Sequence, residues 1–143
     1  MAEDHIPCTP PSAEIEAACR EPLPALAIEG LQAFNAGQYF EAHELLETAW
    51  REEPRPVREL YRGVLQVAVG YYHIGRQNYV GALKMFARSR IWLAPFPAIC
   101  QGINLERLRQ DMDRVESEWV QLGPDHIADF DLTSFQPVEY LRA

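Results

Sequence analysis

The chain has 143 residues, 48% of them apolar and 24% charged, which suits one globular domain with a sizeable core. Its 21 acidic residues against 13 basic ones leave a net charge of -8. That balance argues against a nucleic-acid partner, whose phosphates demand a basic surface. Lys84, Arg88 and Arg90 are too few and too spread along one helix to change this, and read as a solvated face.

No run of about 18 apolar residues occurs, so no membrane span is expected. Met1 to Pro11 carries Glu3 and Asp4 and lacks the basic-then-apolar pattern of a secretory signal. The cysteines, Cys8, Cys19 and Cys100, are odd in number and form no C-x-x-C. They read as unpaired thiols of a cytoplasmic protein, and no local signature marks a catalytic one.

In chain order, residues 1–22 read as a loose N-terminal segment, with Ser12 placed to cap a short helix over 13–20. A helical domain follows over 23–123. Its first main helix is expected over 24–36, with Ala27, Leu31 and Phe34 on one face and Gly37 as a left-handed terminator. The next spans 38–51 and is closed by Pro54 and Pro56. A third, over 57–75, is apolar on most sides and belongs at the centre. A fourth runs over 78–94 behind Asn78 as N-cap, and Pro95 and Pro97 force a loop after it. Asn104 can cap a fifth, with Leu105, Leu108, Met112, Val115 and Trp119 at helical spacing, before Gly123-Pro124 stops it. The acidic tail, 124–143, carries Phe130, Phe135 and Tyr140 and is expected to lie across the body.

A weak repeat runs at an offset of 40 residues: Tyr39-x-x-Ala42-x-x-Leu45-Leu46 maps onto Tyr79-x-x-Ala82-x-x-Met85-Phe86. This is the pattern of tetratricopeptide-like helical hairpins. The expected architecture is an all-α bundle of about five helices, arranged as two such hairpins plus a C-terminal helix.

Two polar stripes stand out. On the second main helix, His43, Glu44 and Glu47 point the same way, because residues three and four apart share a face. On the apolar third helix, Arg62, Gln66 and His73 share a stripe. Antiparallel packing would bring the two stripes together. Three readings are open: a structural network with Arg62 paired to a glutamate; a divalent-metal site with His43, Glu47 and His73 as ligands; and a pocket for a small polar molecule, with Arg62 as anion partner and Glu47 or His43 as base. The zincin H-E-x-x-H lacks its second histidine here, and the ferritin-like E-x-x-H is absent from both helices. Trp50, Trp92 and Trp119 read as core anchors. The run from Arg107 to Glu118 reads as a solvated face with ion pairs, and His5 and His126 as solvated tail residues.

The segment Phe34-x-x-Gly37-x-Tyr39-Phe40-Glu41-Ala42-His43-Glu44-x-x-Glu47-x-x-Trp50, followed by Arg62-Gly63-x-x-Gln66-x-Ala68 and His73, resembles a family of small all-helical prokaryotic and plant proteins of unknown function with an E-A-H-E-x-x-E-x-x-W core. The resemblance covers about Leu31 to Leu108. It implies a compact helical bundle in which His43, Glu44, Glu47, Gln66 and His73 belong together. It implies no biochemical role.

The expected function is that of a non-catalytic binding or interaction domain, its partner an unidentified protein or small polar ligand. The enzyme alternative is a metal-dependent hydrolase with Glu44 as general base beside His43, Glu47 and His73. A tetratricopeptide-like peptide binder is a third class; it needs a groove that the tail does not fill, unless the tail is itself an intramolecular ligand. Phe40, apolar on the polar stripe, fits a pocket wall or, if exposed, a contact between copies of the chain.

Overall fold

The computed structural model describes residues 13–141. They form six α-helices: α1 (Ala13–Cys19), α2 (Ala25–Asn35), α3 (Tyr39–Glu52), α4 (Arg58–Gly75), α5 (Tyr79–Leu93) and α6 (Leu105–Leu122). A two-stranded antiparallel hairpin, β1 (Ile99–Cys100) and β2 (Ile103–Asn104), separates α5 from α6. Ser12, Cys8 and His5 lie outside the described residues, so the cap expected at Ser12 does too.

The helical hairpins α2–α3 and α4–α5 pack side by side through α3 and α4, which leaves α4 the most buried helix. The two turns repeat bond for bond. Gln38 N–H donates to Ala33 O at 2.9 Å, and Asn78 N–H donates to His73 O at 2.8 Å, 40 positions on. Ala36 N–H bonds the carbonyls of Gln32 and Ala33; Arg76 N–H bonds those of Tyr72 and His73. The next residue is left-handed in both, Gly37 at φ +79 and Gln77 at φ +59. Glycine takes that conformation freely, whereas Gln77 holds it at a steric cost.

The repeat extends into the helix crossings. A Cβ on Gly30 would stand 2.7 Å from Leu46 Cγ, and one on Gly70 would stand 2.9 Å from Phe86 Cδ1. Each glycine lets its helix approach a large side chain 16 residues later (46 − 30 and 86 − 70). Ala42 and Ala82, also equivalent, are fully buried.

Asn78 and Asn104 cap their helices as their positions suggested: Gly81 N–H donates to Asn78 Oδ1 at 2.9 Å, and Arg107 N–H to Asn104 Oδ1 at 3.0 Å. The buried face of α6 is Leu105, Leu108, Met112, Val115 and Trp119, joined by Asp111. Trp119 donates Nε1–H to Tyr79 O at 3.1 Å and stacks on the Tyr79 ring.

Two expectations are corrected. Cys19 and Cys100 are not unpaired thiols; they form a disulfide. Counting cysteines could not reveal that the end of α1 lies beside β1, where Gln101 N–H donates to Cys19 O at 2.7 Å. The region between α5 and α6 is a β-hairpin rather than only a loop. Its central residues, Gln101 at φ +48 and Gly102 at φ +82, have the two positive φ angles of a tight I′ turn. Gln101 is buried and holds the corner, accepting from Tyr61 OH at 2.7 Å and donating to Ala18 O at 3.1 Å. Among the described residues, no helix is long and apolar enough to cross a membrane.

Past Gly123 the chain makes two short 3-10 turns, Ile127–Asp129 and Leu132–Ser134, and then runs extended over the body. Phe130 and Val138 are buried by this path.

Candidate functional site

The polar stripes of α3 and α4 lie along the seam between these helices. Antiparallel register is fixed at both ends. At one end Trp50 Nε1–H donates to Glu59 Oε1 at 3.2 Å, and Arg58 Nε–H donates to Trp50 O at 3.1 Å. At the other, the rings of Phe40 and Tyr72 lie 5.5 Å apart. Between these ends, α3 carries His43 and Glu47, and α4 carries Arg62 and Gln66.

The Trp50 end is internally satisfied. Arg62 lies between two indoles, its guanidinium carbon 4.8 Å from the Trp50 ring centre and 3.8 Å from that of Trp92. Its Nε is 2.8 Å from Glu59 Oε1, and Arg58 also lies over Trp50, at 4.3 Å. A guanidinium on an apolar helix needs compensation; two ring faces and a carboxylate provide it. The carboxylate that pairs with Arg62 is Glu59. Trp119 is fully buried and Trp50 is half-buried and packed against the core, whereas Trp92 is half-buried and serves as a stacking face for Arg62. The signal was present in the sequence, since Arg62 on an apolar helix demands partners and aromatic faces are among the few that suit it.

Arg62→Ala is expected to lower stability by about 1–2 kcal/mol. Arg62→Lys should recover less than half of this, because an ammonium cannot stack flat between two rings. Urea midpoints at unchanged slope would measure both.

The His43 end is different. His43 Nε2 lies 3.9 Å from Glu47 Oε1, and Glu47 also pairs with Arg51 at 3.4 Å. Among the described residues, His43 Nδ1 and Gln66 Oε1 are shut off from solvent and find no hydrogen-bond partner. Glu44, next to His43 in the chain, is exposed. His73 faces the α4–α5 turn, where its Nδ1 lies 3.4 Å from the Asn78 side-chain amide. The structure thus keeps His43 with Glu47, and Arg62 with Glu59, but engages His73 elsewhere. Among the described residues, no three His, Cys, Asp or Glu side chains come together in a group able to hold a metal ion, so His43, Glu47 and His73 do not form the expected ligand trio. The geometric reason is spacing: His73 lies two turns beyond Gln66, past the stretch of seam that His43 occupies.

Partial burial, and then the positive charge of Arg76, push the pKa of His73 below its ordinary value of 6.5. The unfolded chain therefore takes up this proton more readily than the folded one, and stability falls as pH drops through 6.5 towards the depressed value. Native protein is expected to lose more of its urea midpoint between pH 7.5 and pH 5.5 than His73→Gln does, roughly in proportion to that shift.

Sequence reasoning missed a second group of polar residues. Arg107 and Arg114 of α6 are not simply solvated: they hold the tail, bonding Glu139 and the Ser134 carbonyl. Arg109 donates to the carbonyls of Leu93 and Phe96.

Comparison with known proteins places the two hairpins in context. Residues 27–85 match the family described as a domain of unknown function, DUF309. The match spans nearly all of α2 and runs into α5, leaving α1, the β-hairpin, α6 and the tail outside it. An uncharacterized Bacillus subtilis (strain 168) protein, YpuF, is 41% identical over 96 residues, which is 64% of this chain and 55% of that protein. An uncharacterized protein of Aquifex aeolicus (strain VF5) is 28% identical over 91 residues, 61% of this chain and 26% of that protein. The chain thus spans about half the length of the first relative and about a quarter of the second.

Proposed function

We propose that this chain is a non-catalytic binding domain whose α3–α4 seam, centred on His43 and Gln66, receives a polar group from a small ligand or another protein. The supporting observation is that His43 Nδ1 on α3 and Gln66 Oε1 on the adjoining α4 are both shielded from solvent and find no hydrogen-bond partner among the described residues. Leaving such atoms unbonded costs about 1–3 kcal/mol each, which a bound donor–acceptor group would remove. Glu47 Oε1 stands 3.9 Å from His43 Nε2 and pairs with Arg51, and Arg62 lies between the indoles of Trp50 and Trp92.

The test compares native protein with His43→Ala and Gln66→Ala. Ligand-detected NMR against a library of small carboxylates, amides and amines should give binders that both variants lose while keeping native far-UV circular dichroism. Elemental analysis runs beside it. Stoichiometric metal in the native protein, lost in His43→Ala and accompanied by hydrolytic turnover, would replace this proposal with the hydrolase.

A further inference from the structure

The last residues are seated in the way one protein holds a peptide from another. Asn35, at the end of α2, clamps the backbone of Val138 at both ends: its Nδ2–H donates to Val138 O at 3.0 Å, and its Oδ1 accepts from Val138 N–H at 2.7 Å. The next residues add to the edge of the β-hairpin. Asn104 N–H donates to Glu139 O at 2.9 Å, Tyr140 bridges to Ile103, and Leu141 N–H donates to Gly102 O at 3.0 Å. A Cβ on Gly102 would stand 3.0 Å from Leu141 O, so glycine permits this approach. Main-chain bonds of this kind hold any extended segment, and side-chain pockets then select among them.

Two such selections are visible. Phe135 stacks on Tyr71 with ring centres 4.4 Å apart and meets Tyr39 edge-on at 5.6 Å. The Glu139 carboxylate takes a bond from Arg107 at 3.1 Å.

The tail leaves the seat incompletely used. A cleft of about 640 Å³ remains between Asn35, Ile99 and Gly102 and residues 137–141. Another, of about 430 Å³, remains beside Phe135, between Tyr39, Tyr72 and Arg76. Three polar atoms around the seat find no hydrogen-bond partner among the described residues: Tyr71 OH beneath Phe135, Asp111 Oδ2 beside Arg107, and Ser134 Oγ of the tail. Leu141 is 78% exposed.

We propose that this surface is a peptide-binding groove that takes, from a partner protein, an extended segment with an aromatic residue, an aliphatic residue three positions on and an acidic residue next to it. The chain's own Phe135-x-x-Val138-Glu139 is the resident that such a segment displaces. The groove shares no residue with the His43–Gln66 seat, so either proposal stands if the other fails.

The probe is a fluorescent peptide of residues 130–143, titrated into the full native chain and into full-length Val138→Pro. The substitution removes the tail N–H that Asn35 accepts and leaves the groove unchanged. Amide exchange over 139–141 should accelerate in the variant. Because a tethered competitor lowers apparent affinity by the fraction of time it occupies the seat, Val138→Pro should bind the peptide at least about tenfold tighter than native protein. Peptides carrying Phe135→Ala or Val138→Pro should bind more weakly, and adding Asn35→Ala to the chain should abolish the gain. A variant whose tail exchanges faster yet binds no peptide at millimolar concentration overturns the proposal, as does a tail unmoved by Val138→Pro. A native dimer that Val138→Pro dissolves would assign the groove to a second copy's tail and overturn the partner reading.

Discussion

Reducing the Cys19–Cys100 disulfide is expected to cost about 2–4 kcal/mol of stability, towards the upper end because the bridge closes a long loop. The two cysteines are 81 residues apart in sequence, and the loop between them contains α2 to α5, the whole helical core. Opening the bridge frees the unfolded chain and also loosens the folded corner. There α1 keeps Ile15 and Ala18 as its buried residues, and a single side chain, Gln101, joins Ala18 to Tyr61. Thermal unfolding with and without reductant measures the effect. A Cys19→Ala/Cys100→Ala variant should melt where the reduced native protein does and ignore reductant. Equal midpoints for oxidised and reduced native protein would rule out a stabilising bridge.

Gly70→Ala is expected to destabilise by about 1–3 kcal/mol through overpacking. The added methyl would meet the edge of the Phe86 ring, which is fully buried and also packs against Tyr71. The first hairpin suggests the remedy, since its equivalent pair is Gly30 with Leu46. Gly70→Ala/Phe86→Leu should therefore be more stable than the sum of its single changes. A double-mutant cycle on urea midpoints would report a coupling of about 0.5–2 kcal/mol. Strict additivity would mean that the α4–α5 crossing does not depend on this contact.

The helices were legible because each is bracketed by a local signal. Asn78 and Asn104 cap, Gly37 and Gly123 stop, and the prolines at 54, 56, 95 and 97 break; observed ends fall within a residue or two of those expected. The repeat was legible for the same reason, being written in turn residues and small crossing residues. The β-hairpin was not, because Gln-Gly is a weaker I′ signal than Asn-Gly and strands of two residues show no alternation. The disulfide joins segments 81 residues apart, a separation on which local pattern is silent. At the polar seam the sequence could name the stripes but not their register. Arg62 meets Trp50 of α3, whereas His73, on the same stripe, lies beside Asn78 at the α4–α5 turn. Asn35 gave no signal, since nothing near it announces a bond to Val138, 103 residues away.

The doubled hairpin separates two kinds of instruction. Positions that shape the backbone occur twice: Gly30 and Gly70, Tyr39 and Tyr79, Ala42 and Ala82. The polar positions of α3 and the Asn35 clamp occur once. Forty residues after His43, Glu44 and Glu47 stand Leu83, Lys84 and Ala87, and the counterpart of the Asn35 clamp is Gly75. The α4–α5 copy supplies the most buried helix together with Arg62 and Gln66, while the α2–α3 copy holds the Asn35 clamp and His43. A library randomising residues 43, 44 and 47 should accordingly keep the fold in most members, whereas one randomising 30, 42, 70 and 82 should lose it in most.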